Sequence, residues 1–335
     1  MRSHLAKLCI VLGLCAAGST LATAAPGYQY SVVGNPADVV TSTTGLLVLQ
    51  GGGTDVDANF VRMGAHSGGG DFVVIRASGT DAYNPYIYDL CACDSVATIV
   101  FKNRNAVTDP FVIQTIRNAE ALFIAGGDQS DYVKLWKGTP IEDAIHHVAA
   151  KPAPVGGTSA GMAIMGEFIY SAMSNSSLTS EEALADPFHR DLTLDRDFLV
   201  LPQLGGLITD QHLIERDRMG RTLAFLARLV KDGFATQAHA IAADRETALH
   251  VDPTTGAAEV FSTPTHPTPF VYFLTTPGAP EVCNPGVPLT YRNIAVYRIA
   301  PGNSFDLSRW RGTGGIAYTL SAEAGVLTSS RGEVY

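Results

Sequence analysis

Short apolar runs without polar alternation recur through the first half of the chain, and they limit its possible folds more than any other feature. They are Leu46 to Gln50, Phe72 to Arg76, Thr98 to Phe101, Ala121 to Ala125 and Pro154 to Gly156. Continuous apolar strands are typical of parallel sheets that are covered on both faces. Helical patterns at Pro110 to Glu120 and Pro140 to Ala149 lie where crossovers are needed. The sequence therefore predicts an α/β fold with a mostly parallel sheet flanked by helices.

Glycine-rich turns end several of these runs. They are Gly51-Gly52-Gly53, Gly126-Gly127-Asp128 and Gly156-Gly157. Ligands of open α/β sheets bind outside the carboxyl ends of the strands. We therefore expect these turns to converge on one crevice.

The pattern changes after residue 238 to short strands separated by turn signals. These strands are Ala238 to Ala243, Thr247 to Val251, Ala258 to Ser262, Phe270 to Thr275 and Ile294 to Ala300. They predict extra C-terminal β strands that extend the sheet with an antiparallel edge. No linker or composition break divides the chain, so we expect a single domain over residues 25–335.

The N-terminus has the order of a secretory signal peptide. Arg2 and Lys7 precede an apolar run from Leu8 to Ala17, and small residues follow around Ala24. The run is shorter than the roughly 20 residues that span a bilayer, so no membrane anchor is expected. We predict a signal peptide over residues 1–24, cleavage after Ala24 and a secreted or periplasmic protein.

Charge and cysteine content limit the partners. The whole chain has a net charge of −9, and cleavage removes two basic residues, which leaves −11. A chain this acidic is not expected to bind nucleic acid. Cys91, Cys93 and Cys283 remain after cleavage. The first two are spaced too closely to presume a bridge, so a structural disulfide that involves Cys283 is expected, and no His cluster accompanies them to predict a metal site.

Ser159 lies in a Gly-x-Ser-x-Gly motif between an apolar strand and an apolar helical run. This context predicts a nucleophile elbow, in which small neighbours permit a sharp turn that exposes the hydroxyl. The amide of Ala160 could then donate to an oxyanion. The alternative is an ordinary structural turn between strand and helix.

A serine nucleophile needs a base within hydrogen-bond reach. The residue order of α/β-hydrolases would favour a late histidine, His239, His250 or His266. None of these lies at an obvious strand-end loop with polar neighbours. His212 does, because it ends the polar stretch TDQH after Leu207-Ile208 and precedes a helix, and we therefore favour His212.

Three arginines, Arg216, Arg218 and Arg221, lie within a six-residue stretch that follows this histidine. Guanidinium groups hold carboxylates through paired hydrogen bonds, so the cluster favours a substrate that carries carboxylates. The alternative is a solvated helix start with ion pairs along its surface, Glu215 with Arg218 and Asp217 with Arg221.

Three blocks in this order and spacing carry a family resemblance. They are Gly126-Gly127-Asp128-Gln129, Gly157-Thr158-Ser159-Ala160-Gly161, and Asp210-Gln211-His212 followed by Arg216, Arg218, Gly220 and Arg221. Over roughly residues 46–251 the chain resembles the cyanophycinases of serine peptidase family S51, which includes aspartyl dipeptidases. The third block is the most specific. The resemblance implies a flavodoxin-like sheet similar to that of the class I glutamine amidotransferases.

The resemblance also implies roles for individual residues. Ser159 would be the nucleophile, His212 the general base, and backbone amides near Gly127 and Ala160 the oxyanion site. The implied substrate pocket contains Gln129, Asp210, Gln211, Arg216, Arg218 and Arg221. No metal or other cofactor is expected.

Members of this family cleave cyanophycin, a polyaspartate whose β-carboxyls carry arginine, to β-Asp-Arg dipeptides. Such a substrate offers carboxylates to the arginines and guanidinium groups to an acidic protein. The expected function is therefore a secreted serine peptidase acting on cyanophycin through an acyl-enzyme on Ser159. The alternatives are a secreted peptidase for short aspartyl or isoaspartyl peptides and a catalytically impaired binding homologue. The sequence leaves the oligomeric state open, with a homodimer possible.

One position departs from the family pattern. The family has Asp-Glu before a Thr-Ala-Leu-like strand, and that glutamate orients the histidine. Here the stretch reads DRETAL, with Arg245 where the glutamate is expected. Either Glu246 or Asp244 orients His212 after a local shift, or the chain has lost the acidic third member of the triad. We predict Glu246.

Overall fold

A computed structural model describes residues 26–335, and the predicted signal peptide lies outside these residues. The strands are β1 Tyr28–Gly34, β2 Leu47–Gln50, β3 Asp71–Arg76, β4 Ser95–Phe101, β5 Ala121–Ile124, β6 Val155–Thr158, β7 Phe168–Tyr170, β8 Leu194–Arg196, β9 Leu207–Asp210, β10 His239–Ala243, β11 Thr247–Val251, β12 Ala257–Ser262, β13 Val271–Thr275, β14 Val282–Asn284, β15 Val287–Ile299, β16 Ser304–Asp306, β17 Arg311–Thr313, β18 Ile316–Glu323 and β19 Val326–Ser329. The helices are α1 Asp57–His66, α2 Tyr83–Cys91, α3 Pro110–Asn118, α4 Gln129–Trp136, α5 Pro140–Ala150, α6 Ala160–Ala163, α7 Ser180–Ala185 and α8 Met219–Lys231, with a 3-10 helix at Arg104–Thr108.

Five parallel strands form the centre of the first sheet, in the order β4-β3-β5-β6-β2. These are the five apolar runs of the sequence. Every residue of β2, β4, β5 and β6 is buried, as expected for strands covered on both faces. The predicted α/β architecture with helical crossovers is confirmed.

Antiparallel strands extend this sheet at both edges. β1 pairs with β4 at one edge, and β11, β12, β16 and β17 continue beyond β2 at the other, which gives ten strands. The predicted C-terminal extension with an antiparallel edge is therefore present. The parallel strands make up half of the sheet.

A second sheet takes the remaining C-terminal strands, in the order β19-β18-β15-β13-β10-β9-β7-β8, with β14 beside β15. The sequence pattern predicted that β10, β13 and β15 extend the first sheet, and this prediction was wrong. The reason is the pairing of β10 with β9, which runs parallel to it and precedes it in the chain. Local hydrophobic pattern does not reveal such long-range pairing.

The two sheets share a core. One cluster of buried side chains includes Leu49 and Val155 from the first sheet and Ile241 and Phe273 from the second. The Thr209 hydroxyl on β9 also donates to the carbonyl of Met162 in α6 over 2.7 Å. These contacts bring the carboxyl ends of β6 and β9 together.

The cysteines pair differently from the prediction. Cys91 and Cys93 form a disulfide, and Cys283 is buried and bonded to no described cysteine. Cys91 ends α2, and Ala92 adopts a left-handed conformation with φ of 52°, which turns the chain back and leaves the two cysteine Cα atoms 5.2 Å apart. Among residues 26–335 no helix is both long enough and apolar enough to cross a membrane.

Candidate active site

Ser159 lies at a sharp turn between β6 and α6. Its φ and ψ are 52° and −116°, a strained combination for a residue with a side chain. The flanking glycines make this turn possible. A Cβ on Gly157 would be 2.6 Å from the carbonyl carbon of Gly161, and one on Gly161 would be 2.0 Å from the oxygen of Ile124. The motif thus has the geometry of a nucleophile elbow.

His212 is the histidine that lies beside this serine. The Ser159 hydroxyl and His212 Nε2 are 3.0 Å apart. His212 follows β9, is 5% exposed and, like Ser159, has a left-handed backbone, with φ of 50°. Its amide donates to the carbonyl of Gly51 over 2.8 Å, which fixes it against the turn after β2.

The glycine-rich turns after β2 and β5 converge here as predicted. A Cβ on Gly52 would be 2.2 Å from His212 Nε2, and one on Gly126 would be 3.4 Å from Ser159 Cβ. The third pair, Gly156-Gly157, lies within β6 instead of following it.

A carboxylate meets the other side of the His212 imidazole, and it belongs to Glu215. His212 Nδ1 and Glu215 Oε2 are 2.5 Å apart. The chain between them forms a tight turn, in which the amide of Arg216 donates to the carbonyl of His212 over 3.1 Å. Hydrogen bonds therefore link Ser159 to His212 and His212 to Glu215.

The prediction that Glu246 occupies this position was wrong. The Glu246 carboxylate lies apart from His212 and accepts from Thr263 over 3.2 Å and from Arg245 over 3.1 Å. Its amide is bonded to the carbonyl of Gly52 over 2.6 Å and its φ is 55°, which holds the residue in the turn between β10 and β11. The backbone of that turn therefore directs the side chain away from the imidazole.

Asp244, the other alternative, supports the Glu215 turn. One carboxylate oxygen accepts from the amides of Ile214 and Glu215 over 3.0 and 3.2 Å. The other oxygen accepts from Thr268 over 3.2 Å and lies 3.1 Å from Nε2 of His266. Asp244 therefore holds the backbone beneath Glu215 and does not contact His212 itself.

The electrostatic surroundings suit a neutral base. Burial lowers the pKa of His212, the hydrogen bond to Glu215 raises it, and the guanidinium groups of Arg216 and Arg218 lower it, with a net decrease. Burial raises the pKa of Glu215, but the hydrogen bond and charge of His212 and then the positive charges of Arg216 and Arg245 outweigh it. A neutral imidazole beside an ionised carboxylate results.

A cavity of about 220 Å³ opens from Ser159. Its lining is mostly polar and includes a segment, residues 172–177, that follows β7. The lining residues are Gly127, Asp128, Gln129, Ser159, Tyr170, Ala172, Asn175, Ser176, Ser177, Gln211, Arg216, Arg218 and Arg221.

The three arginines differ in their partners. Arg221 is fully buried, donates through Nε to Asp210 over 3.0 Å, and forms a second bond to the same carboxylate through Nη2. Arg218 is 5% exposed, and its Nη1 donates to the carbonyl of Gln211 over 2.9 Å and to the Gln211 side chain. Arg216 has a side chain that is 51% exposed at the edge of the cavity.

Arg218 is therefore a buried cation that forms no ion pair with the described residues. Burial lowers its pKa to about 9, and the charge of Arg221 adds to the decrease. Neither ion pair of the alternative interpretation forms. Glu215 binds His212, and Asp217 accepts from the hydroxyl of Tyr335 over 2.6 Å.

The remaining predicted residues lie around the cavity. Gln129 begins α4 and donates to the carbonyl of Tyr170 over 3.3 Å, and Gln211 lines the cavity beside Arg218. Gly127 lines the cavity and Ala160 begins α6 directly after Ser159. Asp210 lies beneath the cavity, where Arg221 and Thr222 occupy its carboxylate.

The sequence did not predict that Glu215 would contact His212. A signal for Glu215 was available, because residues three apart are neighbours in a helical turn.

A serine at a strained elbow, a histidine in hydrogen-bond contact and a carboxylate on that histidine define the class as a serine-type hydrolase. The family model of peptidase family S51 matches residues 90–192, which include Ser159. Over these residues the chain is similar to family S51, and the site has the arrangement of a serine-type peptidase.

Two curated relatives and one solved structure show the extent of the similarity. The cyanophycinase of Geminocystis herdmanii is 32% identical over 33% of this chain and 38% of its own length. The cyanophycinase of Trichormus variabilis is 26% identical over 42% of this chain and 44% of its own length. The chain thus matches less than half of the length of either. The crystal structure of a peptidase from an acI-B1 actinobacterium covers 79% of this chain and 98% of its own, with a TM-score of 0.53 and 14% identity, and it shows a shared fold.

Proposed function

We propose that this protein is a secreted serine peptidase that hydrolyses cyanophycin to β-Asp-Arg dipeptides through an acyl-enzyme on Ser159. The 3.0 Å contact between the Ser159 hydroxyl and His212 Nε2 carries the proposal. Both residues have a positive φ, at 52° and 50°. Such strain persists where the surrounding structure imposes it, and it is concentrated at functional sites.

The mechanism follows from the geometry. His212 Nε2 accepts the proton of the Ser159 hydroxyl as its oxygen attacks the peptide carbonyl. The amides of Gly127 and Ala160 stabilise the resulting oxyanion. His212 then gives its proton to the leaving amine, the C–N bond breaks, and the acyl group remains on Ser159. In the second half, His212 deprotonates a water that attacks the ester. The bond between the Ser159 oxygen and the acyl carbon then breaks, the acid product leaves, and His212 returns the proton to Ser159.

Arg218 supports a substrate with carboxylates. A buried guanidinium without an ionic partner is costly, and a substrate carboxylate in the cavity would pair with it. Arg216 at the cavity edge supplies a second cation. Arg221 does not, because Asp210 already occupies it. The relatives that match part of the chain are cyanophycinases, and the mature charge of −11 complements a polymer whose side chains end in guanidinium groups.

The test is release of soluble β-Asp-Arg from insoluble cyanophycin by the purified mature protein, with Ser159→Ala as control. Release that disappears in the variant would support both the substrate and the nucleophile. If the wild type releases no dipeptide, cyanophycin is not the substrate.

The size of the cavity favours a second candidate, a peptidase for short aspartyl or isoaspartyl peptides. About 220 Å³ is below the roughly 300–1,000 Å³ of typical small-molecule pockets, which suits a short ligand. Comparing kcat/KM for isoaspartyl dipeptides and for cyanophycin distinguishes the two. The third interpretation, an impaired binding homologue, relied on the lost acid at Arg245, and Glu215 now supplies a carboxylate to the histidine.

We also propose export, from the signal-peptide pattern of residues 1–24. The measurement is N-terminal sequencing of protein recovered outside the cytoplasm. A mature chain beginning at Ala25 is expected, and intact Met1 on such protein would contradict cleavage.

A further inference from the structure

We propose that Glu215 is the residue that positions His212, so that this chain carries its orienting carboxylate one turn after the histidine and not before the strand that begins at Thr247. The inference rests on the proposed serine mechanism but not on the substrate. The resembling family has a glutamate where this chain has Arg245, and the structure shows a different carboxylate at the imidazole.

The contact fixes the tautomer of the histidine. Glu215 Oε2 lies 2.5 Å from Nδ1, and an ionised carboxylate can only accept, so the proton is on Nδ1. The lone pair of Nε2 then faces the Ser159 hydroxyl at 3.0 Å. A general base needs this arrangement.

The backbone that carries Glu215 is held firmly. Asp244 accepts from the amides of Ile214 and Glu215, and the amide of Leu213 donates to the carbonyl of Ala243 over 3.3 Å. The turn between β10 and β11 thus still supports the site, but through the backbone of the 213–215 segment.

Arg245 is consistent with Glu215 as the carboxylate that contacts His212. Its positive charge helps to lower the pKa of Glu215, and its Nη1 holds the Glu246 carboxylate at 3.1 Å. An arginine at position 245 is therefore compatible with a carboxylate at position 215.

Glu215→Gln removes the negative charge while keeping the shape, and Glu246→Gln is the matched control on the rival residue. The first readout is the rate at which an organic fluorophosphonate modifies Ser159, which needs no cyanophycin. Removing the orienting acid of a serine triad costs about 10⁴-fold, and we expect a decrease of about 10² to 10⁴-fold in Glu215→Gln, because Glu215 is partly exposed. Glu246→Gln should react like the wild type.

The second readout is the pKa of His212 by NMR, which does not depend on any reaction. The hydrogen bond that His212 donates to Glu215 raises the pKa of His212, so Glu215→Gln should lower this pKa, while Glu246→Gln should not. The charged groups around the imidazole are Glu215, Arg216 and Arg218 on its own segment, and Asp244 and Arg245 on the turn between β10 and β11.

Unchanged modification and an unchanged His212 pKa in Glu215→Gln would overturn the inference, as would a loss confined to Glu246→Gln. Modification of the wild type without release of β-Asp-Arg would overturn the substrate proposal alone. If the wild type does not react with the fluorophosphonate, the serine mechanism fails and the NMR titration still decides whether Glu215 sets the state of His212.

Discussion

The His212 imidazole lies directly against the backbone of Gly52, where a Cβ would be 2.2 Å from Nε2 and 2.5 Å from Cε1. Gly52 also has a φ of +99°, which disfavours any side chain. The turn after β2 thus forms one wall for the base, and only glycine leaves room for it.

Gly52→Ala should therefore displace His212 from Ser159. A misplacement of about 1 Å can cost about 10²-fold in rate, and we expect kcat to fall by at least that factor. The measurement is hydrolysis of cyanophycin or an isoaspartyl peptide.

Gly138→Ala is the matched control. Gly138 also has a positive φ, of +67°, but nothing lies within 4 Å of its added Cβ. It should change stability without changing kcat. Equal losses of kcat in the two variants would show that backbone strain, and not contact with His212, is responsible.

The pH dependence follows from the pKa of His212. Burial lowers it below the usual 6.5, and the base works only when it is neutral. Activity should rise with pH through this pKa, so the acidic limb of kcat/KM should have its midpoint below 6.5. A His212 titration by NMR in Ser159→Ala should also give a midpoint below 6.5. A value above 6.5 in both experiments would show that burial does not lower the pKa of His212.

Sequence predicted the parts of the site that depend on local pattern. The glycines around Ser159 predict a tight turn, and the structure confirms that their Cβ atoms would clash. His212 was identified because it follows a buried strand in a polar stretch. The five central strands were found from continuous hydrophobicity, which directly reflects burial on both faces.

The errors concern contacts between distant or competing groups. Both Glu215 and Glu246 are near enough to His212 in the sequence motifs to be the carboxylate that contacts it. The left-handed backbone of Glu246 directs its side chain elsewhere, and the sequence does not show this. The pairing of β10 with β9 and the disulfide of Cys91 with Cys93 likewise depend on chain geometry that periodicity does not encode.

The buried pair of Asp210 and Arg221 should matter for stability more than for binding. Two hydrogen bonds join the groups and both are fully buried. Breaking such a pair leaves an uncompensated buried charge and costs about 3 to 5 kcal/mol. Arg221→Met should lower the free energy of unfolding by about that amount, as measured with urea.

Arg309→Met is the surface control, because the Arg309 side chain is 82% exposed beside Asp306. Arg309→Met should lower the free energy of unfolding by less than about 1 kcal/mol.

The pKa of Asp210 is lowered in the folded state, since Arg221 outweighs the effect of burial. The stability from Asp210 is therefore present above the unfolded pKa and is lost as pH falls through the folded one. A difference between Arg221→Met and wild type that grew on acidification would contradict this.

Arg218 should act on substrate binding. Its guanidinium lines the cavity, is 5% exposed and has no described carboxylate as partner. A hydrogen bond to a charged group is worth about 1.5 to 3 kcal/mol, which is roughly ten to a hundredfold in affinity. Arg218→Met should raise KM by that factor and leave kcat nearly unchanged. The free energy of unfolding of Arg218→Met should not fall as it does in Arg221→Met, because the charge that is removed has no ionic partner among the described residues.

A substrate analogue in which the free α-carboxylate of the attached arginine is converted to the neutral amide tests whether Arg218 binds that carboxylate. The wild type should bind this amide as weakly as Arg218→Met binds the normal substrate, and the variant should no longer distinguish the two. Arg216→Met, at the more exposed guanidinium, should keep most of the discrimination because solvent screens its charge. If Arg218→Met still prefers the carboxylate as strongly as the wild type, the buried cation does not contact the substrate and Arg216 becomes the residue to examine.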